Sequence, residues 1–187
     1  MNRFAISSSL HGVLPVLFLL VAGSLFVVSC SSSPEPSTGQ AGALHATYNS
    51  DSTRVTASQE EWKRVLAPKV FEVTRMKGTE QAYTGKYWDH HEAGTYCCFC
   101  CGQEVFSSEA KFESGTGWPS YFRPIRAKAV KIVEDRSYGI RQEVQCARCD
   151  AHLGHVFDDG PPTTGKRYCI NSISLLFKEQ KERALSN

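Results

Sequence analysis

The pattern of apolar and polar positions divides the chain into three parts. After Arg3, the only formal charge before residue 30, a nearly unbroken apolar stretch runs through Val13, Leu14 and Pro15 to Val28. Residues 31 to about 53 are then rich in Ser, Pro, Thr, Gly and Ala, with almost nothing apolar enough to bury, as in a flexible tether. From Ser58 the pattern becomes that of a folded domain. Ser58 stands three residues before Glu61, the spacing at which each side chain satisfies an unpaired N–H at a helix start, so a short helix is predicted there. Trp62, Val65 and Leu66 share one face of it, Trp62 as a core residue, and Pro68 ends the run. Residues 70–75 alternate and predict a strand, and 107–112 a short helical turn. Beyond about residue 120, short apolar runs separated by Gly, Pro and Asp predict antiparallel strands at 130–133, 138–144, 156–157 and 168–177. The expected fold is mainly β, with one or two peripheral helices.

Size and charge narrow the partners. The chain has 187 residues, 41% hydrophobic, with 21 Lys+Arg against 19 Asp+Glu for a net charge of +2. That suits one globular domain over 54–180 plus an appendage, with no internal repeat. No basic stripe is present to neutralise phosphates, so no nucleic-acid partner is expected. The first 29 residues resemble a secretory signal peptide. About 20 apolar residues would also span a bilayer, so a retained membrane helix is the alternative. Val27-Val28-Ser29-Cys30 resembles the lipobox of bacterial lipoproteins, in which the cysteine is diacylated and becomes the new N-terminus. This resemblance implies a signal peptide over 1–29, a lipidated Cys30, a tether over 30–53 and a tail over 181–187. The domain would be exported and anchored to a bacterial membrane, facing the periplasm or cell exterior. Ser31 is not the aspartate that retains some lipoproteins in the inner membrane, which makes outer-membrane sorting the default. A tether of this length reaches ~25 Å by random-coil scaling.

The eight cysteines carry the strongest signal. Cys98-Phe99-Cys100-Cys101-Gly102 and Cys146-Ala147-Arg148-Cys149 supply two CxxC pairs with 44 residues between them. Two residues between thiolates let a tight turn aim both sulfurs at one cation, and two such turns complete a tetrahedral shell. A closed shell of four sulfurs makes the metal structural and hides it from substrate. Two disulfides, or a redox-active CxxC, are the competing readings. Cys97 and Cys100 form an overlapping register; Cys98 and Cys101 are preferred because Gly102 lets the turn close without a Cβ clash.

Cys169 is the cysteine in a chemical setting. In Lys166-Arg167-Tyr168-Cys169-Ile170-Asn171-Ser172 a period of two places Arg167, Cys169 and Asn171 on one face of a strand. A guanidinium beside a thiol favours the nucleophilic thiolate. A buried core thiol is the plainer reading, against which the two polar neighbours argue. His152-Leu153-Gly154-His155-Val156-Phe157-Asp158-Asp159 offers two imidazoles three apart and then carboxylates; with the metal assigned to cysteines, proton transfer is their better use. Gly115-Thr116-Gly117-Trp118-Pro119-Ser120 holds one large aromatic, either core or the wall of a pocket for a small apolar group.

Together these segments, with Gly94-Thr95-Tyr96 leading into the first CxxC, resemble methionine sulfoxide reductase B over about residues 56 to 179. The resemblance implies two antiparallel sheets in a β-tent, short N-terminal helices and one structural Zn²⁺ on Cys98, Cys101, Cys146 and Cys149. Its activity would be reduction of the R-epimer of methionine sulfoxide in oxidised proteins. Cys169 would attack the sulfoxide sulfur and become a sulfenic acid. His152, His155, Asp159, Arg167 and Asn171 would line the polar side of the pocket, with Trp118 and Phe157 on the substrate's apolar side. Many family members carry a resolving cysteine where this chain has Thr116. Regeneration would then fall to a thioredoxin-like donor or membrane thiol relay, to Cys97 or Cys100, or to an unacylated Cys30. A tethered domain of this size is expected to work as a monomer. The rival readings are a non-catalytic zinc-stabilised binding module on the same fold and a thiol-disulfide oxidoreductase using the CxxC pairs.

Overall fold

The computed structural model describes residues 54–180, so the apolar leader, Cys30, the tether and the tail over 181–187 lie outside the described residues. The predicted first helix is present as α1 (Gln59–Val65), and the Ser58–Glu61 pair closes its start. Glu61 N–H donates to Ser58 Oγ at 3.2 Å and Ser58 N–H to Glu61 Oε2 at 2.7 Å. Trp62 is buried, as expected.

Residues 70–75 correct the sequence reading: they form helix α2 (Pro68–Met76), not a strand. Pro68 does not merely stop α1. It sits in the first turn of the next helix, where its missing N–H costs nothing and its fixed φ suits the entry. Val70, Val73 and Thr74 fall at helical spacing and are buried, packing α2 on the sheet behind it. Arg75 extends from α2 to donate to Cys149 O at 2.9 Å, its guanidinium 4.8 Å over the Trp62 ring. Among the described residues no helix is long and apolar enough to cross a membrane.

Among the described residues nine strands form two antiparallel sheets. They are β1 (Gly94–Cys98), β2 (Glu104–Ser107), β3 (Lys111–Phe112), β4 (Ser120–Tyr121), β5 (Val130–Asp135), β6 (Arg141–Cys146), β7 (His152–Phe157), β8 (Arg167–Ile170) and β9 (Leu175–Glu179). The small sheet has the order β2-β1-β9 and the large one β3-β4-β8-β7-β6-β5. The predicted helical turn over 107–112 is a 3-10 turn (Ser108–Ala110) followed by β3. The predicted run 138–144 begins later, because Tyr138, Gly139 and Ile140 make the β5–β6 turn, and β7 starts already at His152.

The run 168–177 is two strands in different sheets, β8 and β9, separated by a 3-10 turn (Ser172–Ser174). Buried Glu80 explains the break. Its carboxylate accepts the N–H of Ser172 and, at 3.1 Å, that of Ile173, so these donors need no ladder partner. The chain therefore passes straight from the strand carrying Cys169 into the small sheet. Between and beside the sheets lies one core that includes Tyr96, Phe106, Tyr121, Val144, Leu153 and Ile170.

Candidate active site and metal centre

The Sγ atoms of Cys98, Cys101, Cys146 and Cys149 lie within 4.8 Å of one another, all buried. Cys98 Sγ is 3.7 Å from Cys149 Sγ and Cys101 Sγ 3.6 Å from Cys146 Sγ. A tetrahedral zinc with Zn–S of about 2.3 Å requires S···S edges of about 3.8 Å, so the donor set fits. The two turns are built alike. Gly102 N–H donates to Cys98 O at 2.8 Å with Gly102 at φ 73°, and Asp150 N–H donates to Cys146 O at 3.0 Å with Asp150 at φ 60°. Glycine supplies the left-handed position in one turn; in the other Asp150 takes it and is braced by ion pairs to Lys131 and Arg54. Because β1 is in the small sheet and β6 in the large one, the four sulfurs tie the sheets together. Cys97, on β1, and Cys100, in the turn that follows, are not among these four and are buried.

A separate cavity of about 150 Å³ is lined by Thr79, Trp118, Arg141, Gly154, His155, Phe157, Cys169 and Asn171. Cys169 stands on β8 opposite Ser120 of β4 and His155 of β7. Asn171 lies just past the end of β8, buried, its Nδ2 donating to Leu153 O at 3.2 Å and its Oδ1 accepting from Glu80 N–H at 3.0 Å. Trp118 is half-buried and donates from Nε1 to Glu80 O at 3.1 Å. Glu80 therefore holds the aromatic wall, the asparagine and the turn after it. Burial raises its pKa above the ordinary value, partly opposed by the Ser172 and Ile173 N–H groups.

The two histidines come together through a bulge. Residues three apart on a regular strand face opposite sides, but the β6–β7 register slips so that Val144 faces Gly154 and Gln145 faces His152. The rings then meet edge to face, with centroids 5.3 Å apart. Gly154 is required for a second reason: a Cβ there would stand 2.0 Å from Cys169 O, so only glycine lets β7 approach β8 at this point. His155 lines the cavity, and its Nε2 lies 2.8 Å from Asp135 Oδ2.

His152 lies further in, fully buried, with Nδ1 2.8 Å from Glu143 Oε1 and Nε2 without a hydrogen-bond partner. Burial pushes its imidazole pKa down, and Glu143 does not offset this, so His152 is neutral. Glu143 itself stays ionised: burial pushes its carboxyl up, but hydrogen bonds from Lys77, Gln145 and His152 outweigh it. A carboxylate at Nδ1 places the proton there and leaves Nε2 an acceptor.

Arg167 and Asp159 form a bidentate pair at 2.9 and 2.8 Å, and the guanidinium lies 4.4 Å over the Phe157 ring. The predicted effect of Arg167 on Cys169 is present in direction but is outweighed. Burial raises the Cys169 pKa, and the Thr116 hydroxyl and Arg167 lower it only in part, so the resting group is a thiol. Thr116 Oγ1 stands 3.9 Å from Cys169 Sγ, and Ser114 Oγ links it to Ser120 Oγ at 2.8 and 2.7 Å.

The cavity thus gathers Cys169, His155, Asn171, Trp118 and Phe157, with Arg167 and Asp159 beside it and His152 behind. Thr79, Arg141, Glu80, Asp135 and Glu143 are additions to the sequence reading. No periodicity marks the first four, and Glu143 is an acidic residue in a strand read only as apolar.

Fold and site define a small β domain with a closed four-thiolate centre and, apart from it, a single-thiol pocket. The profile of the SelR domain matches residues 66–179. The chain is 58% identical over 122 residues to the peptide methionine sulfoxide reductase MsrB of Thioalkalivibrio sulfidiphilus, covering 65% of this chain and 89% of that one. It is 56% identical over 129 residues to the MsrB of Methanosarcina barkeri, covering 68% and 91%. To that of Acinetobacter baumannii it is 52% identical over 130 residues, covering 69% and 94%. The chain belongs to the SelR domain family, the family of these MsrB proteins.

Proposed function

We propose that the protein reduces the R-epimer of methionine sulfoxide in proteins, with Cys169 as nucleophile. The observation that carries this is one thiol in a cavity lined both by the aromatic rings of Trp118 and Phe157 and by the polar groups of His155, Asn171 and Arg141. The rings suit the methyl group and the polar groups the sulfoxide oxygen, so the two epimers present different atoms to Cys169. Sulfur attacks sulfur, the S–O bond of the substrate breaks as the oxygen passes to Cys169 sulfur, and with the thiol proton it becomes the Cys169 sulfenic acid, leaving the substrate side chain as methionine. Oxide is a poor leaving group until protonated, which is the task of His155, with His152 behind it and Arg167, Asp159 and Asn171 shaping the polar wall. A zinc held by Cys98, Cys101, Cys146 and Cys149 would supply folding energy and no step of this reaction.

The test is loss of N-blocked R- and S-methionine sulfoxide by chiral chromatography, with purified full-length chain and a chemical dithiol. Consumption of R alone is expected; consumption of neither by folded protein would leave the binding-module reading.

Regeneration falls to an external dithiol protein: one thiol displaces water from the sulfenic acid to give a mixed disulfide, and the second releases Cys169. Dimedone trapping of substrate-oxidised protein is expected to label Cys169, whereas a disulfide of Cys97 or Cys100 would overturn this route. Replacing Thr116 by cysteine puts a sulfur where Oγ1 now stands 3.9 Å from Cys169 Sγ, between Gly115 at φ 71° and Gly117 at φ 86°. An S–S bond of about 2.0 Å then needs only a small loop movement. In Thr116→Cys one equivalent of substrate is expected to yield a disulfide to Cys169 and no dimedone adduct, read by mass spectrometry.

The leader and Val27-Val28-Ser29-Cys30 support export and anchoring through a diacylated Cys30, with electrons then imported by a membrane thiol relay, since the periplasm is held oxidising. The mass of the Cys30 peptide from the membrane fraction checks this.

A further inference from the structure

The β5–β6 hairpin ends at the pair Asp135 and Arg141, the last register pair of its ladder. Arg141 lines the cavity, and Asp135 holds His155, which lines it too. Asp135 is a crowded acceptor. Its Oδ1 takes the Ser137 N–H at 2.9 Å and the Ser137 hydroxyl at 2.7 Å; its Oδ2 takes Arg141 Nη2 at 2.6 Å and His155 Nε2 at 2.8 Å. The side chains of Asp135 and His155 are each 11% exposed, so this bond is largely shielded from water.

Four donors keep the carboxylate ionised, the Ser137 groups foremost, and hold its carboxyl well below the usual range. An ionised acceptor fixes the proton of His155 on Nε2, which leaves Nδ1 as the ring nitrogen for the cavity. Asp135-Arg136-Ser137 makes this possible locally: the carboxylate caps the N–H two residues on, a turn-forming contact, so the turn that closes the hairpin also aims the carboxylate.

We propose that Asp135 is a positioning residue for the reductive step, orienting His155 through Nε2 and stabilising the imidazolium that forms when Nδ1 carries the proton bound for the sulfoxide oxygen. This rests on the proposed function. The step balances without any further reactant: the Cys169 thiol proton reaches the oxygen, the oxygen passes to Cys169 sulfur, and methionine leaves. His155 holds the proton in transit and ends as it began. The charged or titratable groups around His155 are Asp135 of β5, Arg141 and Glu143 of β6, His152 of β7, and Cys169 and Arg167 of β8. Among them Asp135 is the carboxylate hydrogen-bonded to His155; Glu143 is committed to His152 and Lys77.

The test compares wild type with Asp135→Asn and Asp135→Glu in single turnover of R-methionine sulfoxide across pH, full chain in excess, followed as methionine formed. Iodoacetamide alkylation of Cys169, which delivers no proton to an oxygen, runs in parallel, with thermal melts to verify folding. Asp135→Asn is expected to slow the reductive step by roughly 10- to 100-fold at neutral pH. Alkylation should stay within about twofold, because it needs no proton carried by the imidazole. Asp135→Glu should keep the wild-type shape of the profile at a reduced rate, and it carries the test if Asp135→Asn does not fold. Superimposable rates and profiles, or equal losses in reduction and alkylation, overturn the proposal. A wild type that consumes neither epimer fails the functional reading instead, and is distinguished by that control.

Discussion

Cys169→Ser is expected to lose reduction of R-methionine sulfoxide by a factor on the order of 10⁴ or more while keeping its fold. The reason is the identity of the accepting atom. Reduction transfers an oxygen from one sulfur to another, and a hydroxyl in that place could accept it only by forming an O–O bond, which no arrangement of His155, Asn171 or Arg141 would make accessible. The substitution itself is gentle. Cys169 is not fully buried and is no part of the four-cysteine cluster, and serine differs from it by a single atom. Melting temperature is therefore expected to change little, while methionine formation in single turnover vanishes. Retained turnover would remove Cys169 from the mechanism. The wild-type thiol has its own signature. Because burial holds its pKa above the ordinary 9.0, its alkylation rate should still be rising with pH where an exposed thiol has levelled off. A plateau reached below that value would mean Arg167 and Thr116 outweigh burial.

What could be read from the chain before its fold depended on how local the cause was. The Ser58–Glu61 reciprocal cap and the CxxC spacing are complete within four residues, and both appear in the structure as expected. Pro68 was ambiguous because one proline can end a helix or begin one, and the buried partners of Val70, Val73 and Thr74 decide it. The 168–177 run looked like one strand since its interruption comes from a carboxylate nearly a hundred residues away, Glu80. The two imidazoles were visible, but a strand period of two would have set them on opposite faces; the bulge that unites them is a property of the β6–β7 pairing. Asp135, Arg141 and Glu143 meet the cavity or its histidines only once β5, β6 and β7 are paired, so no window of sequence contains their role. The direction in which Arg167 acts on Cys169 is legible from their spacing, whereas the opposing desolvation is set by the whole pocket.

Cys146→Ser is expected to abolish zinc binding and the cooperative thermal transition together. The four sulfurs stand where a tetrahedral ion needs them and connect β1 of one sheet to β6 of the other. Structural zinc in such turns contributes on the order of 10 kcal/mol of folding free energy, as much as the entire net stability of an ordinary domain. Without the ion the same four groups become a burden, for buried thiols crowded within 4.8 Å can neither all ionise nor all find hydrogen-bond acceptors. The wild type should carry about one zinc per chain by elemental analysis, and a strong chelator should remove its cooperative transition while leaving the melt of Cys146→Ser unchanged. Cys97→Ser and Cys100→Ser test the register: both residues lie outside the cluster, so each variant should keep its zinc and stay close to wild type in stability, less the cost of placing a hydroxyl in the core. Loss of metal in either of these variants, with retention in Cys98→Ser or Cys101→Ser, would show that the overlapping pair is the true ligand set.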